Sequence, residues 1–336
     1  MNRPSILLTL VFLTATTAPA VSGHESRPSS HCASSSKGEF QITHTHPAVS
    51  AGFEAESIWM RAKLLQWHLK TCGVPSPDAA VSAAADEASM LWHTLLERPD
   101  TAPHLLYDAI LDPQVDLSDE QRHKALQRVM AHDPNNTQTW LVALQAELQN
   151  PDTDTVRIDT LLTQAAQQVE FSRGWVPTLA TWWRVRVHST AEGTSADDSV
   201  METLQSALAT SPLADVKTLQ TVCAHEAVTP HRRAPCLTLA KQLAEDADSV
   251  AVQHTAAKLW AQLATDATDA MRAAQWRQEL DALQTQFVAL PDTPSTRALI
   301  SATWIDVLQK GGREIDVQRQ VLRTMSTSGT ATPGSD

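Results

Sequence analysis

Glycine is scarce, with 10 in 336 positions, tyrosine occurs once, and aromatic residues together make up 5% of the chain. That removes the turn and strand material of an all-β fold and the repeat of a collagen-like one. Basic residues are also few: 26 Lys and Arg face 38 Asp and Glu, a formal net charge of -12. A surface so charged repels a phosphate backbone, and nucleic acid is not the expected partner. After the first 15 residues no apolar run approaches the roughly 20 residues a spanning helix needs. The chain also lacks a Gly-x-Ser-x-Gly elbow, a His-Glu-x-x-His pair, a Gly-x-Gly-x-x-Gly turn and a Walker loop. No catalytic residue and no cofactor are therefore assigned.

The strongest positive signal is an address. Met1, Asn2 and Arg3 give a short positive start, Ile6 to Ala15 is an apolar run too short to remain in a bilayer, and Ala18-Pro19-Ala20 supplies small residues for cleavage. Residues 1–20 read as a secretory signal peptide, with Gly23 as a second cleavage point. Loss of Arg3 would take the net charge from -12 to -13. The first Cys is Cys32, preceded by Ser30-His31, so no lipid anchor is expected. The location implied is periplasmic or secreted, without membrane insertion after cleavage.

An exported chain with four Cys (Cys32, Cys72, Cys223, Cys236) has disulfides as its default, with three possible connectivities. Proximity favours Cys223 with Cys236, leaving Cys32 and Cys72 as the second pair. The absence of Cys-x-x-Cys removes the commonest redox and zinc-ribbon spacings.

Residues 21–50 are rich in Ser and His and poor in large apolar groups, which predicts a disordered leader, and residues 326–336 (STSGTATPGSD) read as a tail of the same character. Between them, over 51–325, the pattern is helical. Ile58, Ala62, Leu65 and Leu69 recur at spacings of three and four, and Cys72-Gly73 forms a stop. Ser76-Pro77-Asp78 opens a helix running to Arg98, and Ser118-Asp119-Glu120-Gln121 is a capping box. Trp140, Leu141, Leu144 and Leu148 form a stripe closed by Asn150-Pro151. Further helices are expected near 102–111, 154–170, 177–189, 197–210, 213–228, 234–246, 249–265, 267–289, 295–310 and 312–325. Trp183 to His188 alternates apolar and basic residues as a strand would, but no partner strand is in sight, so helix is assigned.

The stretch Asp133-Pro134-Asn135-Asn136-Thr137-Gln138-Thr139-Trp140-Leu141 resembles a tetratricopeptide junction, where Pro ends one helix and an aromatic residue packs the next. The departures are Glu147 at an aromatic position and Thr160 and Thr163 at core-like ones. Trp59, Trp92, Trp140, Trp182, Trp260 and Trp304 show no fixed period. The resemblance implies an all-α chain of stacked antiparallel hairpins, a right-handed α-solenoid of irregular tetratricopeptide-like repeats, with an interaction surface.

Four residue groups carry the candidate chemistry. Trp182 and Trp183, flanked by Arg184 and Arg186, suit stacking against a peptide or glycan on a concave face, with packing between repeats as the plainer reading. His44 and His46 in the leader are candidate ligands for a late first-row metal. Cys223, His225, His231 and Cys236 make a two-Cys, two-His set, although their spacing is not that of a finger and oxidation favours the disulfide. Glu56-Ser57 resembles the pair that opens the catalytic motif of lytic transglycosylases, enzymes that also carry helical superhelices. The Gly-Leu-Met-Gln continuation is missing, and Glu56 reads as a surface residue.

The expected function is a non-enzymatic scaffold that holds another protein or a cell-envelope component. The alternatives are an envelope enzyme acting on polysaccharide or peptide without a linear motif, and a metal-handling protein using the leader. Composition leaves the oligomeric state open.

Overall fold

The computed structural model describes residues 54–72, 79–112, 115–150, 152–168, 171, 175–189, 214–224 and 229–329. Among these the chain is all-α, with 13 helices and no strand. In chain order they are α1 Glu54–Cys72, α2 Ala79–Glu97, α3 Pro103–Leu111, α4 Asp119–His132, α5 Thr137–Leu148, α6 Thr155–Gln167 and α7 Trp175–Ser189. There follow α8 Ala214–Cys223, α9 Pro230–Asp246, α10 Val250–Leu263, α11 Ala267–Val288, α12 Pro294–Lys310 and α13 Glu314–Gly329. The expected signal peptide, the expected leader, the expected 197–210 helix and the end of the expected tail lie outside the described residues.

Local chemistry accounts for most boundaries. Ser118 and Gln121 form the expected capping box: the Gln121 N–H donates to Ser118 Oγ at 3.3 Å, and the Ser118 N–H donates to Gln121 Oε1 at 2.9 Å. Asn136 caps α5 by accepting from the Gln138 N–H at 3.0 Å, and Asp154 caps α6 through the Val156 N–H at 3.0 Å. At the end of α12, Gly311 turns left-handed with φ 69°, a conformation open to Gly because it has no Cβ to clash. That turn lets the Gly312 N–H reach the Val307 carbonyl at 3.0 Å.

Some expectations shift. The face of α1 that is buried carries Ala55, Trp59, Ala62 and Gln66, while Ile58, Leu65 and Leu69 are only partly covered. The stripe is real but rotated by about one residue. Thr160 and Thr163, read as core-like, are exposed and donate to the carbonyls of Val156 and Asp159 one turn back. The ninth helix begins at Pro230 rather than near residue 234, which leaves Pro235 inside it. The last helix runs past residue 325 to Gly329. Residues 183–188 are helical, as assigned.

Sequential neighbours pack in pairs, most extensively α1 with α2, α5 with α6, α9 with α10, and α10 with α11. Two large cores result. The middle of the chain, α5, α6 and α8 to α11, builds one around Leu141, Leu162, Leu219, Leu239, Leu243 and Trp260. The other joins the two ends: Trp59, Trp92 and Leu105 share it with Leu179 and Trp182 of α7 and with Trp304, Val307, Val317 and Val321. In a strict stack each repeat touches only its neighbours in sequence. Here α12 packs on α7, and α7 on α1, bringing residues about 240 positions apart into one apolar cluster.

Candidate functional site

The sequence-selected aromatic and basic residues fall on α7, where it meets α1 and α3. Trp182 is 2% exposed and meets Trp59 edge-on, with ring centroids 5.4 Å apart and planes at 69°. That geometry aligns ring edge with ring face and makes Trp182 a packing residue, so it offers no open face for a peptide or glycan. Trp183 is half-buried against the same core. Arg184 donates from Nη2 to Glu56 Oε1 at 3.3 Å and to Thr181 Oγ1 at 3.1 Å. Glu56 is thus a partly buried ion-pair partner rather than a free surface residue. Arg186 lies in α7, with its side chain outside the described residues. His44 and His46 are likewise outside.

Thr181, fully buried, links Arg184 to His104 of α3, whose Nε2 lies 3.2 Å from Thr181 Oγ1. Withdrawal from water, and secondarily the positive Arg184 nearby, push His104 down to about 4. It is neutral at pH 7 and serves as a hydrogen-bonding spacer between α3 and α7. Thr181 is closed to solvent, and the network Glu56–Arg184–Thr181–His104 positions three helices.

Cys223 and Cys236 form a disulfide with Cα atoms 5.6 Å apart, joining α8 to α9 inside the middle core. Their sulfurs are bonded to each other, so the two-Cys, two-His zinc reading loses its thiolates. His231 instead pairs with Asp159 at 2.8 Å, and His225 is outside the described residues. No group of three or more metal-ligating side chains occurs among the described residues. The pairing of Cys32 lies outside them.

Sequence reasoning missed an open cleft of about 760 Å³ between α4 and the end of α5. Its floor is Ile110, Leu126 and Ala146, its rim carries Asp119, Glu120, His123 and Arg157, and Glu147 lies buried in its wall. Asp119, His123 and Leu126 reach it together because positions i, i+4 and i+7 share one side of a helix, with Glu120 at the edge of that side. The two guanidinium groups in the wall are committed. Arg122 donates to the carbonyls of Ala109, Ile110 and Val115 at 3.1, 2.9 and 2.6 Å, closing the C-terminal end of α3. Arg157 pairs with the buried Glu147 at 2.8 Å. Asp119 and Glu120 carry no ion pair among the described residues, so the rim is acidic over an apolar floor. The capping box was a legible signal for the first turn of α4; the cleft itself depends on α5 and α6 arriving beside it.

No family model, curated protein or solved structure matches this chain.

Proposed function

We propose that the chain is an interaction scaffold of the cell envelope or extracellular space, and that the α4–α5 cleft receives a basic segment of a partner protein. The observation that carries this is the acidic pair Asp119 and Glu120, without an ion pair among the described residues, above Ile110, Leu126 and Ala146, in a chain whose net charge is already -12. An apolar floor with an opposite-charge rim gives affinity from burial, while the charges set orientation and partner choice. A cavity of this size suits one or two long side chains, such as Lys or Arg beside Leu.

The irregular tetratricopeptide-like stacking expected from Asp133 to Leu141 belongs to this reading. It is supported by the junction, where Trp140 Nε1 donates to the Pro134 carbonyl at 2.7 Å and Asn136 Nδ2 donates to Asp133 Oδ2 at 2.7 Å. Export is supported by the disulfide, which persists in oxidising compartments.

The test is fluorescence anisotropy with labelled Lys-Leu peptides and matched Glu-Leu peptides. Binding of the basic set, weakened about tenfold by the double variant Asp119→Asn, Glu120→Gln and by added salt, is expected. Equal binding of both sets, or no effect of the double variant, overturns the reading. Affinity capture of the mature protein from envelope extract then names the partner.

A further inference from the structure

Glu147 is the buried carboxylate of the α4–α5 cleft. It is 7% exposed and stands next to last in α5, at the helix end whose dipole disfavours a negative charge. Its partner Arg157 lies in the first turn of α6, where a cation is equally misplaced. Neither charge is therefore explained by the helix that carries it. The two meet at 2.8 Å, Arg157 Nε to Glu147 Oε2, and both line the cleft. The pair is lopsided, since Glu147 is closed to water whereas the Arg157 side chain is 57% exposed. The guanidinium covers the carboxylate from the side open to solvent.

Little else holds the charge of Glu147. Thr153 Oγ1 lies 3.4 Å from Oε1, and the same hydroxyl donates to the Glu147 carbonyl. Arg122, the other guanidinium in the wall, is spent on the carbonyls that end α3. A buried carboxylate stripped of its cation is strongly disfavoured, so a ligand that moves Arg157 aside has to bring a positive charge of its own. An arginine side chain meets that need, with a guanidinium for Glu147 and an apolar stem for the floor of Ile110, Leu126 and Ala146.

We propose that Arg157 is a built-in stand-in for the ligand: it occupies the position on Glu147 that an arginine of the partner segment takes over on binding. This role rests on the cleft being a site for a basic segment, and it makes Glu147, beneath the rim pair Asp119 and Glu120, the residue that specifies the cation. Exchange of one guanidinium for another conserves the ion pair, so the net gain comes from the apolar floor and the acidic rim. The released Arg157 returns to water and regains its rotamers. A segment without a cation meets the opposite balance, since it either stops at the rim or leaves Glu147 buried and alone. Arg157 thus lowers affinity for every ligand that enters and raises selectivity for arginine, which replaces it in kind.

The experiment uses the full chain and labelled Arg-Leu peptides, with matched peptides in which citrulline, a neutral isostere, replaces arginine. Fluorescence anisotropy should show Arg157→Ala binding the Arg-Leu peptide about five- to tenfold more tightly than the unaltered chain, and the citrulline peptide no more tightly. Adding Glu147→Gln should abolish that gain. In the unaltered chain, exchange of the Arg157 Nε–H proton with water, followed by NMR, should speed up on saturation with the Arg-Leu peptide, and this readout decides the matter should Arg157→Ala not fold. No tightening by Arg157→Ala, equal tightening for the citrulline peptide, or slower exchange on binding overturns the stand-in. In those cases the site itself survives provided that Asp119→Asn with Glu120→Gln still weakens Arg-Leu binding. Failure of the Arg-Leu peptide to bind the unaltered chain and the Arg157→Ala chain alike removes the site and the stand-in together.

Discussion

The indole of Trp182 meets that of Trp59 edge to face at 5.4 Å, so a residue that in sequence resembled a ligand platform is the contact between the first helix and the seventh. Trp182→Ala should remove about 3 to 5 kcal/mol of folding stability through lost burial and the cavity left behind. Urea unfolding measures it. A loss below about 1 kcal/mol would mean that this joint does not hold the two ends of the chain together.

The Cys223–Cys236 bond closes a short loop, its ends 13 positions apart. Its reduction should cost roughly 3 kcal/mol through the added freedom of the unfolded chain. Melting with and without reductant should differ by on the order of 6 to 12 °C. Non-reducing peptide mapping should recover the two cysteines linked; free thiols at both positions would contradict the bond.

His104 makes acid unfavourable. Its folded value is lowered from 6.5 to about 4, so the folded chain binds this proton less readily than the unfolded one. Its contribution is full above 6.5 and falls away as pH drops toward 4, by at most about 3 kcal/mol. His104→Gln retains a partner for Thr181 and does not titrate. The unaltered chain should therefore lose stability relative to this variant over pH 6.5 to 4, read from urea midpoints, and parallel curves would refute the assignment.

Arg122 holds the end of α3 rather than a ligand, because its guanidinium is spent on backbone carbonyls. Arg122→Met should cost about 2 to 3 kcal/mol, the worth of charge-assisted hydrogen bonds together with the carbonyls left bare. Peptide affinity measured on the folded fraction should change less than it does for the Asp119, Glu120 variant. The reverse order would move Arg122 from the frame of the cleft to its binding surface.

The helices were legible because their causes are local: capping residues such as Ser118, helix-ending prolines such as Pro134, and apolar recurrence every three to four residues. The disulfide was legible for a related reason, since two cysteines separated by a short turn meet whenever the flanking helices pair. Register was less so. In α1 the chain offers Ile58, Leu65 and Leu69 as readily as Ala55, Trp59 and Gln66, and which set is buried depends on where α2 and α7 approach.

Sequence by itself determined an all-helical, acidic chain with a staple between Cys223 and Cys236, because propensity, capping and short-range closure need no distant partner. Tertiary structure alone decided that Glu56 pairs with Arg184, that Trp182 is core, that Asp119 and Glu120 overhang a cleft, that Asp248 caps the start of α7 and that Glu314 caps the start of α10. Each of these depends on helices far apart in sequence docking in one arrangement. The free energy that selects it comes from burying side chains such as Trp59, Trp92 and Trp304 together, a non-directional force that leaves little trace in the order of the residues.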